Sequence, residues 1–375
     1  MATAQQTTTL GKLAHGAIAQ YLKQAIAYEK RVKADTDPEN LHQMRVGLRR
    51  LRTAMEVFDA GLDLPRAGRK RKVAAIARKL GELRDLDVVW ATLRDRYAPD
   101  LPDPEQDCLG VVMLTLARKR HKTFKQVKKL LKGDRYSDLK QSLLEWLEEP
   151  VYGAIAPLPA QQALPDLILP LVSRLWLHPG WLVGAKITTK GAIEGISANT
   201  RLSQAATDQL IAEQGPLLHD LRKQVKRVRY QLRLVADLYP GVLDADIDRL
   251  STMQDTLGDL QDSTVLAAFI ESVVPKAKSQ MPHLFALLAD SRHRAWKQWQ
   301  THQQFYLDPA QRQRLRLALL HPGVPEQNEA TTAEKSSKGY AKSTSRRRTT
   351  PKSKSAAPKA PRTKAKPTPQ PPETP

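Results

Sequence analysis

The side chains in this sequence best placed to do chemistry are basic, and they recur at helical steps. His42, Arg45, Arg49 and Arg52 follow one another at intervals of three and four residues, with Arg50 beside them. Further on, His219, Arg222, Lys226, Arg229 and Arg233 do the same, flanked by Lys223 and Arg227. On a helix each residue turns about 100°, so with His42 at zero Arg49 lies at about 340°, Arg45 at about 300° and Arg52 at about 280°. Leu41, Met44, Leu48, Leu51, Met55 and Phe58 fall on the adjoining arc, so each helix carries a basic stripe beside a core stripe. In the second copy the core stripe is Leu218, Leu221, Val225, Val228, Leu232 and Val235.

An ordinary solvated helix offsets its cations with acids one turn away. Here no Asp or Glu occurs between Leu41 and Met55. Stacked like charges lower stability unless an anion arrives, and guanidinium forks suit phosphate oxygens. The stripe runs about 15 Å from His42 to Arg52, with a charge every ~4.5 to 6 Å. That is a track, which fits a linear polyanion better than a single phosphate. A single phosphate asks for a Gly-rich cradle of backbone N–H groups, and no G-x-x-x-x-G-K-[ST] occurs.

His42 and His219 hold matching places at the end of each stripe. A zinc ligand, a catalytic base and a phosphate donor all suit such a histidine. With no Cys, Asp or Glu at ligand spacing, donation to phosphate is the reading preferred here over metal or a local structural role. No metal or cofactor is expected. Asp85 and Asp262 also match, each four residues after a glycine, Gly81 or Gly258. The glycine leaves room for an Arg of the preceding basic helix to cross and pair with the carboxylate, which would aim the guanidinium at the ligand from behind. A local pairing of Asp85 with Arg84 is the plainer alternative.

The elements that carry these residues look duplicated. Leu41 to Arg52 lies over Leu218 to Arg229 at an offset of 177, and the same offset brings Leu80 to Val88 onto Leu257 to Val265. A third match, Arg120 to Gln126 with Arg292 to Gln298, needs an offset of 172. From Leu10 to Leu320 apolar residues recur at three- and four-residue steps, and Gly and Pro mark the breaks, among them the stretches from Pro150 to Pro165 and from Pro179 to Gly195, and Gly215-Pro216. The expected fold is all-α, an antiparallel helical bundle or a pair of them.

Charge and composition narrow the partners. The 375 residues carry a net charge of +21. The segment from Lys335 to Pro372 holds eight Lys, four Arg and no acid, so it supplies +12 and leaves +9 to the rest. From 326 to 375 the chain is rich in Lys, Pro and Ala and is expected to be disordered. One cysteine, Cys108, excludes a disulfide framework and fits a reducing compartment. Neither a signal-peptide core in the first thirteen residues nor an unbroken apolar span elsewhere is present, so a cytoplasmic protein away from membranes is expected. Aromatic residues are 5%, and none alternate with the basic side chains as stacking platforms for single-stranded nucleic acid would.

Three ordered motifs resemble the CHAD family, the conserved-histidine α-helical domain. They are His42-x-x-Arg45-Val46-x-x-Arg49-Arg50-Leu51-Arg52, Leu80-Gly81-x-x-Arg84-Asp85-x-Asp87-Val88, and His219-x-x-Arg222-Lys223-x-x-Lys226-Arg227-x-Arg229-Tyr230. The resemblance covers residues 10–320, with a first repeat at about 10–150 and a second at about 165–320. It implies two pseudo-symmetric helical bundles, inorganic polyphosphate as the ligand of the basic residues, association with polyphosphate granules, and no catalytic group. The chain departs from the family in a longer connector at 178–215 and in the basic tail, and the E-x-E-x-K signature of the triphosphate tunnel domain that often accompanies such modules is absent. Two such helices facing one another would line a positive groove, and two rivals stay open: a nucleic-acid-compacting protein using that groove and the lysine-rich tail, and a phosphate-transferring enzyme, which would need acidic metal ligands on the stripe.

Overall fold

The computed structural model describes residues 8–190, 193–199 and 202–322, without the side chains of 187–190 and 193–195. The tail read as disordered, 326–375, lies outside the described residues, as do the first seven.

Helices dominate. In chain order they are α1 (Leu10–Ala27), α2 (Glu29–Ala34), α3 (Pro38–Val57), α4 (Lys70–Thr92), α5 (Asp103–Lys132), α6 (Asp134–Glu148) and α7 (Ala160–Trp176). Two strands follow, β1 (Ala185–Lys190) and β2 (Ile193–Ala198). Then come α8 (Gln204–Val235), α9 (Asp244–Val273), α10 (Ala277–Gln280), α11 (Pro282–Leu307) and α12 (Pro309–Leu320). No helix among the described residues is long and apolar enough to cross a membrane.

The basic helix α3 starts where its sequence says it should. The Asp37 side chain accepts from the Glu39 amide at 2.8 Å, and Pro38 occupies the first turn, where its missing N–H costs nothing. Its apolar face packs on α1 at close range. A Cβ at Gly47 would lie 2.8 Å from the Ala25 backbone nitrogen, so only glycine permits this approach.

Two expected breaks, at Pro165 and at Gly215-Pro216, lie inside helices. Pro165 and Pro170 fall within α7, and Pro216 within α8, which runs unbroken through Gly215. Each proline removes one backbone donor. Leu164, Ile168 and Val172 on α7, and Leu218 and Leu221 on α8, are buried around them, and that packing holds the helices through the missing bonds.

The connector at 178–215 contains the other departure. Its β1 and β2 pair antiparallel with Ala185 opposite Ala198 and Lys190 opposite Ile193. The β-branched run Ile187-Thr188-Thr189 is the signal that helical periodicity elsewhere obscured. The ribbon is tied to α11, where Gln304 Oε1 accepts from the Ala198 amide at 3.0 Å.

Hydrophobic burial does not stop at the middle of the chain. One core runs from Leu10, Met44 and Leu80 through Leu175 and Trp181 to Val225, Leu257 and Leu319. A second, smaller cluster joins Leu93, Leu109, Val112 and Leu116 of the first half to Leu266, Ile270, Leu284 and Leu288 of the second. Both clusters therefore fix the halves against each other, and with them α3 against α8.

Candidate polyanion-binding site

The two basic helices meet, and their ridges look into one cavity of about 430 Å³. From α3 it is lined by Arg45, Arg49 and Arg52, from α8 by Lys223, Lys226 and Arg227, and from α4 by Arg78. Among the described residues only two carboxylates line it, Glu56 and Asp85, and both are engaged: Glu56 Oε1 lies 3.5 Å from Arg227 Nε, and Asp85 Oδ1 lies 3.6 Å from Arg45 Nη1. Arg49 bridges the helices. Its Nη1 donates to the Tyr230 hydroxyl at 2.9 Å, while Tyr230 is flanked by the guanidiniums of Arg49 and Arg229, whose carbons lie 5.2 and 4.8 Å from the ring centre.

The glycine-crossing arrangement is present in both halves. A Cβ on Gly81 would sit 3.0 Å from Arg45 Nη1, and one on Gly258 would sit 2.8 Å from Arg222 Nη2. In the first half the crossing Arg reaches Asp85 as expected, and it also donates to the Leu80 carbonyl at 3.4 Å. In the second half Arg222 donates to the Gln254 carbonyl at 3.4 Å, and no ion pair with Asp262 occurs within 4 Å among the described residues. Burial raises the Asp262 carboxyl above the usual range, while the Arg222 charge opposes that rise. Asp262 therefore does not clamp its arginine as Asp85 does.

Crowding of cations leaves its mark on the titrating groups. Lys226 is pulled down to about 7, first by burial and then by Arg49, Arg222, Arg45 and Arg229. His42 is held below the usual imidazole value by burial, then by Arg84, with Glu39 working the other way. Burial, Lys223 and Arg222 do the same to His219. Burial, opposed in part by acids, also lowers Arg45 and Arg52. All these shifts disfavour positive charge, so a bound anion would relieve the repulsion among these groups.

Not every expected residue shares this cavity. Arg50 and Arg233 line a neighbouring cavity of about 960 Å³, where Lys12, Asp237 and Asp244 mix the charge; Arg233 lies 3.7 Å from Asp244, and Arg50 donates to Gln24 at 3.4 Å. Thr53 and Tyr230 line both cavities. Arg229 turns to Ser251 Oγ at 2.7 Å. His219 lines a mainly apolar cavity with Ile211, Leu218 and Leu257, and its Nδ1 is buried without a hydrogen-bond partner among the described residues. His42 does not line the cationic cavity either. Lys223 pairs with Asp220 at 2.6 Å, and Asp220 also pairs with His178 at 2.9 Å, so the His219-Asp220 neighbours in sequence point to different partners.

Three further residues bear on the site. Arg78 lies three residues before Gly81 and seven before Asp85, on the same face of α4, a spacing that could have exposed it. Arg84 acts on both His42 and Arg45. Tyr230 follows Arg229 in the second motif and supplies the hydroxyl that Arg49 needs. Among the described residues no group of three or more His, Cys, Asp or Glu is placed to hold a metal ion.

The CHAD domain family model matches residues 16–271. Among solved structures, PptA from Streptomyces chartreusis is similar over 79% of this chain and 99% of its own, at 14% identity and a TM-score of 0.57, which shows a shared fold. The CHAD domain from the plant Ricinus communis aligns over 85% of this chain and 94% of its own, at 22% identity and a TM-score of 0.48. No curated protein is matched.

Proposed function

The chain belongs to the CHAD domain family, and from that membership and the cationic cavity between α3 and α8 we propose that it binds inorganic polyphosphate without transforming it. The observation that carries this reading is the lining of one cavity by seven basic side chains from three helices, with both nearby carboxylates already paired. Arginines at successive helical steps on facing walls suit a ligand with a charge at each repeat and no preferred end. The fold contacts that recur at the 177-residue spacing, Arg45 over Gly81 and Arg222 over Gly258, support a duplicated origin for the two walls. Association with polyphosphate granules in the cytoplasm is the cellular expression of this reading, with the basic tail as an added polyanion contact.

The test is titration of the protein ending at Gly323 with long-chain polyphosphate at several salt concentrations. A steep fall of affinity with salt is expected, because binding releases counterions. Arg45, Arg49, Arg222 and Lys226 replaced together by Ala should abolish binding while the helical signal and cooperative melting persist. Binding that survives this change refutes the proposal. Competition settles the nucleic-acid rival: polyphosphate should displace duplex DNA at equal phosphate concentration. Phosphate release with magnesium or manganese that depends on Asp85 or Asp262 would establish the enzymatic rival instead.

A further inference from the structure

We propose that Lys226 is an acylation site whose amine, set among arginines in the cationic cavity, attacks the carbonyl of a small acyl phosphate held there by those guanidiniums.

Four features of the site support this. Lys226 lines the 430 Å³ cavity, so a small molecule reaches it. The two acids lining that cavity are occupied by Arg45 and Arg227, which leaves the amine without a carboxylate to keep it protonated. Burial, and then Arg49, Arg222, Arg45 and Arg229, hold it at about 7, so a large share is free base at neutral pH. An exposed lysine, titrating at about 10.4, offers only about a thousandth. Finally, guanidinium forks bind a phosphoryl group as a dianion and stabilise it as a leaving group.

The step balances without a further reactant. The Nζ lone pair forms a bond to the carbonyl carbon, and the bond from that carbon to the phosphate-bearing oxygen breaks. Its electron pair leaves with the phosphate, and the proton lost by nitrogen goes to a phosphate oxygen. An amide and hydrogen phosphate result. The cavity thereby loses one cation permanently, and under the polyphosphate reading above its affinity for that ligand falls.

The experiment incubates the full chain with acetyl phosphate and follows acetylation of each lysine by peptide mass spectrometry, using the exposed Lys125 as internal reference. Lys226 should react at least about tenfold faster than Lys125 at pH 7.4, because much of Lys226 is free base there. Its rate should level off above neutral pH, where this amine is already free base. Acetyl N-hydroxysuccinimide ester, which has no phosphate, should show a smaller preference for Lys226. Equal rates at Lys226 and Lys125 with acetyl phosphate overturn the proposal, and so does an equal preference with both reagents, since the arginines would then play no part in recruiting the acyl donor. Long-chain polyphosphate should protect Lys226. Fast acetylation that polyphosphate leaves untouched would uphold the acylation site while refuting polyphosphate binding in this cavity.

Discussion

Arg49 and Tyr230 are 181 residues apart in sequence and joined by a 2.9 Å hydrogen bond across the α3–α8 contact. The bond fixes one guanidinium at the seam where the two basic ridges meet, and the tyrosine ring lends its face to Arg49 and Arg229 together. Tyr230→Phe removes the acceptor and keeps the ring. Stability should fall by about 1 kcal/mol, the usual net worth of such a bond. Polyphosphate affinity should drop less than for Arg49→Ala, because the charge stays and only its aim is lost. Urea denaturation and calorimetric titration check both; unchanged values for each would show that the bond does not organise the site.

Gly81 offers a separation of binding from stability. Alanine there gains roughly 0.8 to 1 kcal/mol of helix propensity over glycine. Its Cβ would lie 3.0 Å from Arg45 Nη1, the movable end of a long side chain, so the guanidinium swings away at little cost. The expected outcome is a melting temperature equal to or above that of the unaltered protein, with weaker polyphosphate binding. Gly47→Ala is the contrasting change. Its Cβ meets the Ala25 backbone at 2.8 Å, which cannot swing, and the melting temperature should fall. A Gly81→Ala protein that binds at full strength would show that Arg45 needs no space above the glycine.

The basic stripes, their matching spacing and the glycine crossing were all legible in the sequence, because each rests on helical periodicity that one chain displays alone. Whether the stripes face each other is decided by the cores that lock the halves together, and no local pattern contains that information. Arg120 and Arg292 illustrate the limit. Sequence shows them only as matched positions, whereas in the fold Arg120 pairs with Asp35 and Asp87 at 2.7 Å each, and Arg292 with Asp208 at 2.6 Å. Arg50 flanks the stripe on its other side, whereas Arg233 falls on it because a wheel projects every turn onto one circle. Over several turns the stripe drifts around the helix, and Tyr230 and Thr53 divide its ends into a neighbouring cavity. The strands β1 and β2 are poorly legible in the sequence, since six-residue segments give little periodicity.

Arg120 gives a stability prediction independent of any ligand. Its guanidinium neutralises Asp87, a side chain only 3% exposed, whose carboxyl burial raises and Arg120 lowers. Arg120→Met leaves that buried carboxylate and Asp35 without their cation. Removing one partner from a buried pair costs about 3 to 5 kcal/mol, and the partial exposure of Arg120 places this case toward the lower end. Much of the loss should return in Arg120→Met combined with Asp87→Asn, as chemical denaturation of the double variant would reveal. Full additivity of the two changes would rule the pairing out.

Lys226 makes both binding and folding depend on pH, and the two dependences differ in sign. A bound polyanion favours the ammonium form, so binding takes up protons in the window above the free value of about 7. Affinity for polyphosphate should therefore strengthen as pH falls from about 9 to 7, where this lysine's share levels off. His42 and His219, held below the ordinary imidazole value, extend the trend to more acid conditions. For folding, the unfolded chain binds a proton between about 7 and 10.5 that the folded chain does not, so without ligand the stability contributed at this position rises with pH across that window. Below it the lysine is charged in both states and its burial costs the fold most. Lys226→Met should accordingly raise the melting temperature most at pH 6 and least near pH 10. Calorimetric titration in buffers of different ionisation enthalpy should register proton uptake that this variant loses. A melting-temperature gain that is flat in pH would show that Lys226 is not depressed in the fold.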